Sequence, residues 1–237
     1  MRIQVVSKDN FASAAADVIT QYLSVKRDIQ VCFTAGKTPI EPYREMVRRF
    51  KNGQFHPQKV TAFTLDEYAG IRKTDPHACF QTLSKHLYQG MDWPQDQLIT
   101  YNEGLSVEAA AENYEESVVR GGGFELSILG IGVNGHVGFN EPGTSFDSRT
   151  HVAELAAATI RQAHDEGWGN APKFGLTLGI GTLRESKHVL LIANGRNKAD
   201  IVARIVDGDI SETVPATAFR EHPDSLLLID EQAASQL

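Results

Sequence analysis

Short apolar runs alternate with longer stretches of helical periodicity from one end of the chain to the other. Ile3 to Val6, Ile29 to Phe33, Val60 to Leu65, Leu98 to Tyr101, Leu126 to Leu129, Val189 to Ala193 and Leu226 to Ile229 have the length and composition of strands. Asp9 to Val25 instead spaces Phe11, Ala15, Val18, Ile19, Tyr22 and Leu23 at helical intervals. His77 to Tyr88, Val107 to Val119 and the segment carrying Lys198, Ile201, Val202 and Ile205 follow the same rule. Pro39 suits the first turn of a helix, where its missing donor costs nothing, with Thr38 as cap and Asn52-Gly53 as the stop after Lys51. Pro215 to Arg220 predicts a helical turn and Glu231 to Leu237 a terminal one. Strand–helix units repeated in this way predict an α/β fold: a mainly parallel open sheet with helices on both faces, a Rossmann-like three-layer sandwich, formed by residues 1–237 as one domain.

From Pro142 to about Lys173 the pattern breaks down. Thr150 to Leu155 alternates like a strand, and Thr159 to Glu166 suits a short helix. So long an irregular excursion in a compact domain points to a functional loop or lid.

Composition narrows the partners more than the fold. The formal net charge is −7, with acids and bases interspersed, which disfavours a nucleic-acid surface. A phosphorylated small molecule remains compatible, since it needs only local cations. No apolar run approaches the roughly 18 residues of a membrane span, and the N-terminus enters a strand directly, without a signal-peptide layout. The expected location is therefore the cytoplasm. Cys32 lies in an apolar run and Cys79 in a helical stretch, so both are expected to be reduced core residues.

Candidate chemistry concentrates after Leu126 to Leu129, where the chain reads Gly130-Ile131-Gly132-Val133-Asn134-Gly135-His136-Val137-Gly138-Phe139-Asn140-Glu141-Pro142-Gly143. Glycines behind a strand allow a tight turn and a close approach to a ligand, and ligands of open α/β sheets bind at such strand ends. The first six residues match the dinucleotide fingerprint, but Gly138, Pro142 and Gly143 interrupt the helix that fingerprint requires. Thr34-Ala35-Gly36-Lys37-Thr38 resembles the tail of a P-loop but has Val31 where the loop needs glycine. Gly36, Lys37 and Thr38 before a helix still make a site for one phosphate, set against the plainer reading of an ordinary turn. Asp66 and Glu67 close the third strand, and in extended chain only one of them can face the cleft. The alternative for that pair is a capping or solvated acid. His136 and Glu141 are candidate metal ligands by residue type, but no further ligand follows at a usual spacing. A carboxylate orienting an imidazole suits acid–base work better.

Together these residues resemble the glucosamine-6-phosphate deaminase (isomerase) family, short type, within a wider group that includes 6-phosphogluconolactonases. The resemblance rests on Leu65-Asp66-Glu67-Tyr68, Leu129 to Gly132 with Asn134-Gly135-His136, Phe139 to Phe146, Ser148-Arg149-Thr150, Leu176 to Thr182 and Asp230-Glu231, and spans almost the whole chain. It implies that His136 opens the sugar ring at the anomeric hydroxyl, supported by Glu141 and Asn134. Asp66 then carries a proton from C2 to C1 of the open-chain aminosugar. Loss of the C2 proton gives a cis-enolamine, and its return at C1 an imine that water hydrolyses to fructose 6-phosphate and ammonia, with no metal or organic cofactor. Many members have Asp at position 134; Asn cannot be an anionic partner, so Glu141 is left to orient His136.

The phosphate site departs from the family. Ala35-Gly36-Lys37-Thr38-Pro39 loses a hydroxyl and gains a cation, and ungapped counting puts Asp165 where a phosphate-gripping Arg is usual. Lys198 matches the family's second phosphate-binding cation, which makes Lys37 the expected substitute for the Arg. His151 and Ala153 stand where allosteric members carry basic residues, so no activation by N-acetylglucosamine 6-phosphate is expected. The substrate implied is an aminosugar phosphate, of gluco or galacto configuration, acted on by a monomer or small homo-oligomer. Lactone hydrolysis and a non-catalytic sugar-phosphate sensor are the rival readings.

Overall fold

The computed structural model describes residues 1–25, 27–165, 168, 169 and 172–237, without the side chains at 25, 158, 162, 164 and 165. Seven strands form one sheet: β1 (Arg2–Val6), β2 (Ile29–Phe33), β3 (Val60–Thr64), β5 (Leu98–Ile99), β6 (Leu126–Gly130), β9 (His188–Ala193) and β10 (Ser225–Asp230). Their order is β1-β10-β9-β6-β2-β3-β5, and every pairing is parallel. The helices are α1 (Phe11–Val25), α2 (Ile40–Lys51), α3 (Cys79–Leu83), α4 (Val107–Arg120), α5 (Ala157–Asp165), α6 (Ile180–Arg184) and α7 (Ala199–Asp207).

Both faces of the sheet are covered, which is why its inner strands are apolar throughout rather than alternating. In β2, Val31 and Phe33 pack with residues of α1 and α2, such as Ile19 and Met46, while Cys32 between them joins Tyr114 of α4 and Val202 of α7. Period-two alternation survives only as a division between two cores. The edge strand β1 has one neighbour and leaves Ile3 and Val5 exposed. The three-layer α/β reading holds, and among the described residues no helix is long and apolar enough to cross a membrane.

The third strand ends one residue sooner than expected. Leu65 donates its amide to Phe33 O at 2.9 Å, but its own carbonyl accepts from Leu178 N at 3.0 Å. The chain thereby leaves the large sheet, and Asp66–Tyr68 become β4 of a second, antiparallel sheet with β8 (Phe174–Thr177) and β7 (His151–Glu154). β8 had no strand signal of its own, because four residues ending against a glycine-rich turn carry too little periodicity. The predicted strand at 98–101 shortens to Leu98–Ile99, and the helix expected from His77 begins at Cys79 and continues beyond Leu83 as a π turn. The excursion holds β7 and α5; its expected helix end at Glu166 lies outside the described residues.

Chain order fixes where a ligand can sit. From β2 the chain steps outward through β3 to β5, whereas from β6 it steps the other way through β9 to β10. The neighbours β2 and β6 are therefore the switch point, where the loops beyond adjacent strands diverge and open a crevice.

Candidate active site

The loops after β2 and β6 wall a cleft of about 520 Å³, with Thr34, Gly36, Lys37 and Thr38 on one side and Gly130 to Asn134 with His136 on the other. Asp66 and Tyr68 of β4, Thr159 and Ala163 of α5, and Asn194, Asn197 and Lys198 after β9 complete its lining. Asp66 and His136 thus meet in one cavity. Glu67 faces the opposite way, as alternation requires. Its carboxylate accepts the amides of Cys79 and Phe80 at 2.9 and 3.0 Å and so caps α3. The two readings of this acidic pair are both realised, one by each residue.

Asp66 is almost fully enclosed, and its Oδ1 has no hydrogen-bond partner. Burial, with the neighbouring Glu67 charge, pushes its carboxyl up to about 8. Two tyrosines steady the chain just before it. Tyr114 Oη donates to Thr64 O at 2.8 Å and Tyr101 Oη to Leu65 O at 3.1 Å, their rings stacked 3.9 Å apart.

His136 lies flat on Gly132, where a Cβ would come within 2.3–2.4 Å of three ring atoms. Only glycine admits the imidazole there. Gly138, at φ 57°, turns the chain where a Cβ would strike Thr177 Oγ1 at 2.7 Å. The imidazole Nδ1 stands 3.4 Å from Glu141 Oε2, an ion-pair distance too poorly aligned for a hydrogen bond. Such contacts commonly tighten only when substrate binds. Asn134 braces the pair, its Oδ1 accepting from His136 N at 3.1 Å and its Nδ2 donating to Glu141 Oε2 at 2.9 Å.

Glu141 itself does not line the cleft but stands behind His136. Its other oxygen, Oε1, accepts Thr159 Oγ1 at 2.6 Å and the Ala156 amide at 3.4 Å. Burial works to raise this carboxyl, but the close approach and charge of His136, with the hydrogen bonds from Thr159 and Asn134, outweigh it and hold it at about 2. Glu141 is therefore an anion in its own right, suited to stabilise an imidazolium. Among the described residues no three His, Cys, Asp or Glu side chains are placed to share a metal ion.

Lys37 and Lys198 are the cations lining the cleft among the described residues. Lys198 precedes α7 in a 3₁₀ turn rather than lying within the helix, and its Nζ donates to Ile131 O at 2.6 Å. Burial lowers its proton affinity. Thr38 is no helix cap: Pro39 occupies the cap position, no side chain caps α2, and Thr38 sits in a turn facing the cleft. The side chain of Asp165, expected to replace an Arg here, lies outside the described residues. Both cysteines are free and buried, with Cys79 also at the cleft wall. Ser148-Arg149-Thr150 is a structural motif in this chain. Glu115 accepts Thr150 N at 3.1 Å and Arg149 Nε at 2.9 Å, while Gly179 packs so closely on the Ser148 and Arg149 carbonyls that a Cβ would meet them at 2.2 Å.

The sequence matches the family of glucosamine-6-phosphate isomerases and 6-phosphogluconolactonases over residues 6–228. The chain belongs to this family. Among its members, a Bacillus subtilis protein named glucosamine-6-phosphate deaminase 2 is 34% identical over 235 residues, 97% of this chain and 94% of its own length. A Bacillus velezensis glucosamine-6-phosphate deaminase is 37% identical over 230 residues, 95% of each chain. The structure of a monomeric glucosamine-6-phosphate deaminase superposes with a TM-score of 0.95 at 35% identity, covering 100% of both chains. A 6-phosphogluconolactonase from Thermotoga maritima, at 21% identity and a TM-score of 0.77 over 97% of this chain and 99% of its own, shares the fold.

The proton on Asp66 has a consequence for stability. Its folded pKa of about 8 lies above the roughly 3.9 of an unfolded aspartate, so between these values the folded chain holds a proton that the unfolded chain has lost. The associated stability is complete below about pH 4 and is lost as pH rises through 8. Asp66→Asn carries no such dependence. Thermal melts of the two proteins should diverge in favour of Asp66→Asn by on the order of 2–4 kcal/mol between pH 5 and pH 8; parallel curves would show that Asp66 is not held protonated.

Proposed function

We propose that this chain is an aldose–ketose isomerase and deaminase converting glucosamine 6-phosphate and water to fructose 6-phosphate and ammonia in aminosugar catabolism. The observation that carries this reading is the meeting of Asp66 and His136 in one cleft that also holds two lysines. Family membership and the deaminase names of relatives more than 30% identical support it.

The sugar phosphate enters with its phosphate between the Gly36–Thr38 loop and Lys198, held by Lys37 and Lys198. His136 takes the anomeric hydroxyl proton and opens the ring, its positive charge matched by Glu141. The aldehyde acidifies the C2 proton. Asp66 removes it, giving a cis-enolamine, and returns it at C1, giving an imine that water hydrolyses. A carboxylate is ordinarily a weak base for a carbon acid. Burial of Asp66 raises its proton affinity toward the working pH, which is where general base catalysis is most effective.

Tyr68 in place of the Arg usual in lactonases, and a Glu141 coupled to the imidazole, favour deamination over lactone hydrolysis. The galacto epimer is the nearest alternative substrate. The chain works as one domain, a monomer like its 35%-identical structural relative, and in the cytoplasm, where two free buried cysteines remain reduced. No activation by N-acetylglucosamine 6-phosphate is expected, because His151 and Ala153 stand where allosteric members carry basic residues.

The test is release of ammonia and fructose 6-phosphate from glucosamine 6-phosphate, beside galactosamine 6-phosphate and 6-phosphogluconolactone. Acid release from the lactone alone, or binding without turnover, would replace the assignment. Because the base must be ionised, kcat/KM should climb with pH toward a limb near 8, far above an ordinary carboxylate. A limb near 4 would contradict that role. Lys37→Ala should raise KM at least tenfold, the scale of a charge-assisted phosphate contact, and an unchanged KM would remove Lys37 from the phosphate site.

A further inference from the structure

We infer that Thr159 is a positioning residue through which helix α5 controls the Glu141–His136 pair; the inference rests on the deaminase reading above. The two oxygens of Glu141 serve different masters. Oε2 faces the catalytic loop, with Asn134 Nδ2 at 2.9 Å and His136 Nδ1 at 3.4 Å. Oε1 faces the excursion and accepts Thr159 Oγ1 at 2.6 Å, the shortest of these contacts, with the Ala156 amide at 3.4 Å.

Thr159 also lines the cleft, as does Ala163 one helical turn further on. The same segment is anchored beside the site. Ile160 packs on the small core of Phe139 and Leu155, and Trp168, whose amide bonds to Ala163 O at 3.0 Å, stacks on His77 and meets Tyr68 edge-on at 4.7 Å. Helix α5 therefore cannot leave the cleft without drawing the Thr159 hydroxyl off Glu141.

Hydrogen bonds to a charged acceptor are short, strong and directional. The one from Thr159 fixes the rotation of the Glu141 carboxyl plane and so turns Oε2 toward Nδ1. Asn at 134 gives this linkage its weight. With no second carboxylate on the loop, the charge that orients His136 is the one α5 holds.

The experiment is a double-mutant cycle in kcat and KM with glucosamine 6-phosphate, using Thr159→Val, Thr159→Ser and Glu141→Ala, with thermal melts of each protein. Thr159→Val should lower kcat about tenfold, the scale of one hydrogen bond to a charged group, with KM within about twofold. Thr159→Ser, which keeps the hydroxyl, should restore most of kcat. In the Glu141→Ala background, Thr159→Val should cost nothing further, because its route to His136 is gone. An equal loss in both backgrounds, or no rescue by serine, would overturn the inference. Absence of turnover by the unmutated chain would instead sink the deaminase reading.

Discussion

Everything in the site depends on the chain changing its hydrogen-bond partner at Leu65. One side of that residue belongs to the parallel sheet through Phe33 O, the other to the antiparallel sheet through Leu178 N. The bend delivers Asp66 into the crevice between β2 and β6 and turns Glu67 onto the start of α3. Two buried tyrosine hydroxyls hold the Thr64 and Leu65 carbonyls, so the carboxyl is placed by backbone rather than by its own side-chain contacts. That distinction explains how Asp66 can be enclosed with an unpartnered oxygen. A carboxyl seeking its own hydrogen bonds would have been stabilised as an anion and made a poorer base. The rigid elbow keeps it where the fold would not otherwise favour it, a local cost carried by the surrounding cores.

The imidazole is handled in the opposite manner. His136 is fixed by close approach to Gly132 and by a carboxylate whose own ionisation is secured by Thr159 and Asn134. Two acids of the same site are thereby driven apart, Asp66 upward to about 8 and Glu141 downward to about 2. The difference suits them to different work, one to exchange protons and the other to keep its charge and hold a neighbour in place.

The large sheet was legible because its strands are buried on both faces and stand out as bounded apolar runs, from Ile29–Phe33 to Leu226–Ile229. The switch point and the loops beyond it followed from that order. What escaped notice was set by tertiary contacts. β8 is short, lacks its own periodicity and exists because β4 and β7 flank it. Asp66 and Glu67 read as the end of β3 because the change of partner at Leu65 leaves no local mark. In the site, Asp66, Asn134, His136 and the Gly36–Thr38 loop sit where motif reading put them, lining one cleft. Thr159 was missed as a site residue since a threonine in an irregular stretch has no spacing rule tying it to a glutamate 18 residues earlier. Glu141 reads as a catalytic group, yet it stands behind the histidine rather than lining the cleft.

The central claim is that Asp66 moves one proton between two carbons of a sugar whose ring His136 has opened. It is tested most directly with glucosamine 6-phosphate deuterated at C2, by following the label into fructose 6-phosphate. The account predicts deuterium at C1 of the product in amounts above solvent background, and no such transfer with Asp66→Asn. Label transferred at the unmutated rate by Asp66→Asn would contradict it.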